Sequence, residues 1–237
     1  MALPKLNTPK YKLKLPSDGR VVNNRPFLVK EEKLLLLATE TGEQADIIQA
    51  IKDIITACTD LKDVDRLATF DIEFLFLQIR TKSVGENVDV RVTCTDDNET
   101  EVDVSIPLDE IKVIKDKNHK REIKLSDEIM VTMGYPSLDM FVKMNFTDDN
   151  VSQVDQIFEM ASSCIETIAD PNQIYDCADV PKSELVDFFD QLNSKQFQMI
   201  QTFFETMPKL SLTLEVTNPN TKVKSEVVVE GLPSFLG

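Results

Sequence analysis

Apolar residues recur along this chain with two different periods, and the switches between them mark out its elements. Tyr11-Lys-Leu-Lys-Leu15 alternates, Pro16-Ser-Asp-Gly19 is a turn signal, and Val21-Val22 returns as a second strand. Phe27 to Leu37 reads as a further extended segment, with KEEKLLLLA also compatible with a helix. From Glu43 the period changes. Ile47, Ile48, Ile51, Ile54, Ile55 and Cys58 recur at helical spacing behind a polar first turn, which makes Cys58 a small apolar core residue.

In Leu67 to Arg80 the alternation of Phe70, Ile72, Phe74 and Phe76 would suit a strand. Thr69 as an N-cap, the acids at 71 and 73, and the glycine of Ser83-Val-Gly-Glu favour a helix, apolar on nearly all sides and so buried. Period two returns from 87 to 114. Val88, Val90 and Val92 lead into the turn Thr95-Asp-Asp-Asn98, and Val102, Val104 and Ile106 lead out. Further extended segments are expected at Arg121–Lys124 and Glu128–Met133. Residues 150–164 read as a helix with Val151, Val154, Ile157, Phe158 and Ala161 on one face. Pro171 and the Tyr175–Pro181 stretch break the chain. Ser183–Leu192, and the segment from an N-cap at Ser194 to Pro208, form a helical hairpin. A last hairpin runs from Leu210 to Thr217, through Asn218-Pro-Asn-Thr, and back over Val227–Val229.

At 237 residues and 42% apolar the chain can bury a real core. The only run of four or more aliphatic residues is Leu34–Leu37, far short of the ~20 that a membrane span needs, and no secretory signal is read at the N-terminus. The net charge of −15 is uneven: residues 1–33 hold eight Lys/Arg against three Asp/Glu, so the remainder is the acidic part. Such a body repels nucleic acid and anionic lipid, while the basic segment suits an acidic partner or the chain's own acidic surface.

The four cysteines, at 58, 94, 164 and 177, never stand at C-x-x-C spacing, which argues against a zinc framework or a disulfide scaffold and for a reducing compartment. The two hairpins nonetheless resemble one another. VTCTDDNETEVDVSIPL (92–108) and VTNPNTKVKSEVVVEGL (216–232) align without a gap at an offset of 124, and agree at Val92/Val216, Thr93/Thr217, Val104/Val228 and Leu108/Leu232. Paired tips with C-x-x-C would make a zinc ribbon. The ligand positions here hold Cys94, Asp97, Asn218 and Thr221, a poor set for structural zinc. The expectation is a pair of zinc-ribbon-type hairpins without the metal, whose tips lie close together and are shaped by Asp, Asn and Pro.

Enzymatic signatures are missing. No phosphate-binding glycine loop, nucleophile elbow or H-E-x-x-H motif occurs. The single histidine, His119, lies in the basic stretch KVIKDKNHKREIK and reads as an exposed loop residue without a catalytic partner. The acidic pairs Asp96/Asp97 and Asp148/Asp149 read as turn or cap residues.

Longer stretches carry a more specific resemblance. Phe70-Asp-Ile-Glu-Phe-Leu-Phe-Leu-Gln-Ile-Arg-Thr-Lys-Ser-Val-Gly-Glu86 resembles the signature segment of the baseplate protein family of T-even-like contractile-tailed phages. So do the upstream Lys33-Leu-Leu-Leu-Leu-Ala with the Ile47–Ile55 helix, Phe203-Phe-Glu-Thr-Met-Pro-Lys-Leu210, Asn218-Pro-Asn-Thr, and Glu230-Gly-Leu-Pro-Ser-Phe235. The matches span nearly the whole chain in order, and none is a catalytic motif. Some family members carry C-x-x-C pairs at the hairpin tips; this chain departs there, which removes any metal role taken from them. The resemblance implies a non-catalytic baseplate hub subunit or hub-assembly factor. It would act with hub and tape-measure proteins in the cytoplasm of an infected bacterium, and one alternative has it remain in the tail baseplate.

The fold expected is α+β, with a helical centre flanked by two hairpins and an N-terminal β segment. The regions are 1–42 (a basic N-terminal β arm), 43–149 (helical core, first hairpin and strands) and 150–237 (helices and second hairpin, packed with the preceding region as one unit). Lys10, Lys12, Lys14, Arg20, Arg25, Phe235 and Leu236 are the candidate partner contacts; no catalytic residue, metal, cofactor, nucleic acid, membrane or small-molecule substrate is expected. The rival reading is a host-directed adaptor, or an acidic-site hydrolase on the degenerate zinc-ribbon scaffold.

Overall fold

The computed structural model describes residues 7–85, 87–138, 140 and 153–231. Among these residues the chain forms six α-helices and several small antiparallel sheets, an α+β arrangement. It divides into two units: the chain up to Ile114 together with the chain from Lys209 onward, and Lys115–Pro208. Three of the described helices fall in each unit. A strand pairing that local periodicity does not register, Lys209–Ser211 with Lys112–Ile114, holds the two stretches of the first unit together.

In the first unit β1 (Tyr11–Lys14) pairs antiparallel with β2 (Val21–Asn24), and Gly19 supplies a left-handed φ of 74° in the turn. Leu15 and Val22 are buried, while Lys12 and Lys14 alternate outward. This segment is not a detached arm. Ser17 donates its backbone N–H (3.1 Å) and its hydroxyl to the buried Asp71 carboxylate of the central helix. Asn23 donates to Asp60, and the N–H of Phe27 to Ser83.

The aliphatic run that favoured a strand is helix α1 (Val29–Thr41). Glu31, in its first turn, accepts the free N–H of Leu28 at 2.8 Å, and Gly42 closes the other end at φ 72°. Buried Glu31 also pairs with Arg25 at 2.8 Å. Helix α2 (Gln44–Cys58) buries Ile51, Ile54, Ile55 and Cys58, as its spacing predicts. Helix α3 (Thr69–Val84) is the expected buried helix, with Phe70, Ile72, Leu75, Phe76, Leu77 and Ile79 inside and Gly85 at its end. Its N-cap is Ala68, one residue before the expected Thr69.

Strands β3 (Asn87–Thr93) and β4 (Glu101–Pro107) form the first hairpin. After β5 (Lys112–Ile114) the chain leaves for the second unit. It returns as β10 (Lys209–Thr217), which pairs with both β5 and β11 (Lys224–Glu230). Both hairpins and Leu77 of α3 share one core with Val88, Val90, Val92, Cys94, Ile106, Val216 and Val229.

The second unit holds a four-stranded antiparallel sheet, ordered β6 (Glu122–Lys124), β7 (Met130–Met133), β8 (Ile165–Ala169), β9 (Ile174–Asp176). Strands β6 and β7 were legible; β8 and β9 were not, because they flank the Pro171 break with too few alternating residues. Among the described residues three helices accompany the sheet: α4 (Gln153–Ser163), α5 (Lys182–Asp190) and α6 (Ser194–Glu205). Asn193, not Ser194, caps α6: its side chain accepts the N–H groups of Lys195 and Gln196, and Gln196 reciprocates to its backbone. The unit's core includes Val131, Met133, Cys164, Leu185, Phe189, Ile200 and Phe203.

Candidate functional site

The two hairpin tips, about 120 residues apart in sequence, meet through side chains. Asn218 is fully buried, and its Nδ2 donates to Asp96 Oδ1 and Oδ2 at 3.0 and 3.1 Å and to Asp97 Oδ2 at 2.8 Å. Its Oδ1 accepts the N–H groups of Asn220 and Thr221, which folds its own loop. Thr221 Oγ1 donates to Asp96 Oδ2 at 2.5 Å, and Asn220 Nδ2 to Thr100 Oγ1 at 3.1 Å. Asp97 Oδ1 accepts Glu99 N–H and Thr100 N–H, and Oδ2 accepts the Thr100 hydroxyl. The juxtaposition expected from the repeat is therefore present, made by Asp, Asn and Thr side chains.

The loops also share backbone geometry at the offset of 124. Asn98 N–H donates to Cys94 O at 3.0 Å and Lys222 N–H to Asn218 O at 2.9 Å; Asn98 (φ 55°) and Lys222 (φ 62°) are the non-glycine residues with positive φ among those described. Past the tips the gapless alignment fails. Thr93 pairs with Glu101 but Thr217 pairs with Lys224, so the second loop is one residue shorter. Return strands then match at an offset of 123, as Ile106 and Val229, both buried, demonstrate. A one-residue slip turns a strand over. Val104 packs inward while Val228 is 56% exposed, so their identity in the sequence alignment does not reflect a shared position. Val92 and Val216 do correspond, both being buried. Leu232 lies outside the described residues.

This chemistry does not suit zinc. Hydrogen bonds hold both carboxylates below the ordinary range: for Asp97 chiefly those from Thr100 and then Asn218, for Asp96 those from Thr221 and Asn218. Cys94 is buried, and its thiol is pushed up by burial and by the two neighbouring carboxylates, so it stays protonated. Asn218 presents an N–H2 group to the carboxylates and spends its oxygen on its own loop. Among the described residues no group of three or more His, Cys, Asp or Glu side chains is gathered to hold a metal.

Sequence reasoning missed a second constellation. His119 is not an exposed loop residue; it is 9% exposed. Its Nδ1 lies 3.0 Å from Thr206 Oγ1 and its Nε2 3.0 Å from Tyr135 Oη. The Thr206 hydroxyl donates to the Thr202 carbonyl at 2.6 Å. Nδ1 therefore carries the proton that Thr206 accepts, and Nε2 accepts from Tyr135. His119, Tyr135 and Phe203 pack ring on ring, Arg121 lies over the Tyr135 ring at 5.5 Å, and Arg121 also pairs with Glu166. Burial, then Lys115 and Arg121, lowers the His119 pKa and keeps the ring neutral. The partners come from the loop after β7 and the end of α6; no local signal could have shown them.

Of the expected partner contacts, Lys10, Lys12, Lys14 and Arg20 are exposed, and Arg20 pairs with Asp18 at 3.2 Å. Arg25 differs. Its guanidinium is occupied by Glu31, the Pro26 carbonyl and the Ala57 carbonyl, which makes it an internal brace. Phe235 and Leu236 lie outside the described residues, as do Asp148 and Asp149.

A family model described as T4 bacteriophage base plate protein matches residues 8–237. The chain is 25% identical over 226 residues to the baseplate hub assembly protein gp26 of Enterobacteria phage T4, which covers 95% of this chain and 97% of that protein. No solved structure matches.

Proposed function

This chain belongs to the T4 bacteriophage base plate protein family and is a baseplate hub-related phage protein; from that premise we propose that it assembles the hub without catalysis, through contacts with hub and tape-measure proteins in the cytoplasm of the infected cell. The observation that carries this reading is the outer side of α1. Val29 is 79% and Leu36 61% exposed, and Leu37 is exposed beside them at helical spacing, opposite buried Ala38 and Glu31. Apolar side chains grouped in this way mark a surface for another protein. Lys12 and Lys14 on β1, with Lys10 just before it, add a cationic face suited to an acidic partner.

The candidate chemistry argues against the hydrolase alternative. The carboxylates of Asp96 and Asp97 are tied into the hairpin tips, and His119 is enclosed by aromatic rings. Capture of the tagged protein from infected cells, alongside mass spectrometry of purified particles, tests the reading. Hub or tape-measure proteins are expected in the captured fraction, and Leu36→Asp should deplete them while the chain still folds. Fixed copies in finished particles would assign a hub subunit; absence from particles would assign an assembly factor. Capture of neither class of partner, with wild-type folding intact, would sink the proposal.

A further inference from the structure

The exposed apolar residues of α1 stand in a symmetric order with two charges. Val29, Lys33, Leu36, Leu37 and Glu40 follow one another at helical spacing, share the outer stripe and are all exposed, opposite buried Glu31 and Ala38. Lys33 stands three residues before Leu36, and Glu40 three residues after Leu37. A second copy of the helix, laid antiparallel on this stripe about a two-fold axis between Leu36 and Leu37, sets each Lys33 against the other copy's Glu40 and each Leu36 against Leu37. A parallel pair would instead oppose lysine to lysine and glutamate to glutamate, which disfavours it.

The two charges are free to pair in this way. Around α1 the ion pairs among the described residues are Arg25–Glu31 and Lys30–Glu31, which leaves Lys33 and Glu40 without one. Glu40 lies in the last turn, at the negative end of the helix, and no basic residue of that turn offsets it. Antiparallel pairing brings a lysine of the other copy to that end. Of the remaining charges on the helix, Lys30 and Glu31 are tied to each other and Glu32 falls opposite the neutral Thr41. We propose that α1 pairs antiparallel with α1 of a second copy of this chain, with Leu36 and Leu37 at the centre and reciprocal Lys33–Glu40 ion pairs on either side. The inference rests on the contact-making reading of α1 above and names a partner for that surface; the paired chain is then the form that meets hub and tape-measure proteins. Thirteen residues make a helix only about 20 Å long. Such a pair covers less than the roughly 1,600 Å² of a standard interface, so its dissociation constant should be on the order of 10–100 µM.

Sedimentation of the purified full chain from about 1 to about 300 µM tests the pairing. A monomer–dimer equilibrium that weakens with added salt is expected. Lys33→Glu and Glu40→Lys, each checked for folding by circular dichroism, should each weaken it about tenfold, because each sets like charges together at two places. The double variant restores both ion pairs with their signs exchanged and should return to within about threefold of the wild-type dissociation constant. An equimolar mixture of the two single variants should also pair, since each supplies the charge that the other has lost. A monomer at every concentration overturns the proposal, whatever covers α1. So does a dimer indifferent to the single exchanges, or one that the double exchange fails to rescue. Failure here is separable from failure of the capture experiment. A monomer whose capture of hub or tape-measure proteins is still depleted by Leu36→Asp loses the pairing and keeps the assembly reading; a dimer that captures neither does the reverse.

Discussion

The hairpin tips and the His119 cluster are both polar constellations assembled from distant parts of the chain, yet they are built on opposite plans. At the tips, anionic side chains near the surface are neutralised by hydrogen-bond donors and centre on one buried amide, Asn218. Around His119 a neutral ring is enclosed by Tyr135 and Phe203, and its two nitrogens are satisfied by hydroxyls. The tips recur in sequence, and that recurrence revealed them. The His119 cluster occurs once and left no trace in the pattern. Repetition makes a tertiary contact legible because two similar strands with similar turns pack against one core; a singly assembled cluster offers nothing to compare.

The largest effect expected is that of Asn218→Ala. It removes the amide from two carboxylates and leaves two loop N–H groups unpaired, so urea unfolding of the full chain should show a loss of about 2–3 kcal/mol. His119→Ala should cost slightly less, about 2 kcal/mol, by opening the stack between Tyr135 and Phe203. His119→Phe should recover part of that loss, because the ring remains and only its hydrogen bonds go. Equal losses for Ala and Phe would show that the hydroxyl partners, not the rings, hold the cluster.

The one-residue slip between the hairpins gives a smaller and more pointed comparison. Val104→Thr places a hydroxyl against the core and should lower stability by about 1 kcal/mol, whereas Val228→Thr on the outer face should fall within about 0.5 kcal/mol of wild type. Equal effects would mean that the return strands are in the same register, against the pairing described here.

Acid should separate the two constellations by pH window. His119 is held below its ordinary value of 6.5, so the unfolded chain protonates first as pH falls through that value and stability declines from there. Asp96 and Asp97 are held below 3.8; their contribution is full above that value and is lost as pH drops beneath it. His119→Phe should flatten the decline that begins as pH falls through about 6.5, and Asp97→Asn the limb that begins below the ordinary carboxylate value. The smallest effect is a near-absence of change. Burial pushes the thiols of Cys58 and Cys164 up to about 11 and about 12, so neither should react with a neutral-pH thiol reagent before unfolding.

Local pattern determined much of this protein. Spacing of Ile51, Ile54, Ile55 and Cys58 fixed α2, the enclosed apolar run fixed α3, and the two turns at Asp96 and Asn218 fixed the hairpins, because side-chain periodicity reports which face of an element is buried. Segment resemblance carried the family. Tertiary structure decided the rest. It made Leu34–Leu37 helical, since Glu31 caps the helix while bound to Arg25. It drew the unit boundary at Ile114 and Lys209, since β5 and β10 pair across nearly a hundred residues. And it buried a histidine that its lysine-rich neighbours place in solvent. Each of these turns on a partner remote in the chain, and burial and hydrogen bonding depend on what is near in space, which periodicity along one segment does not record.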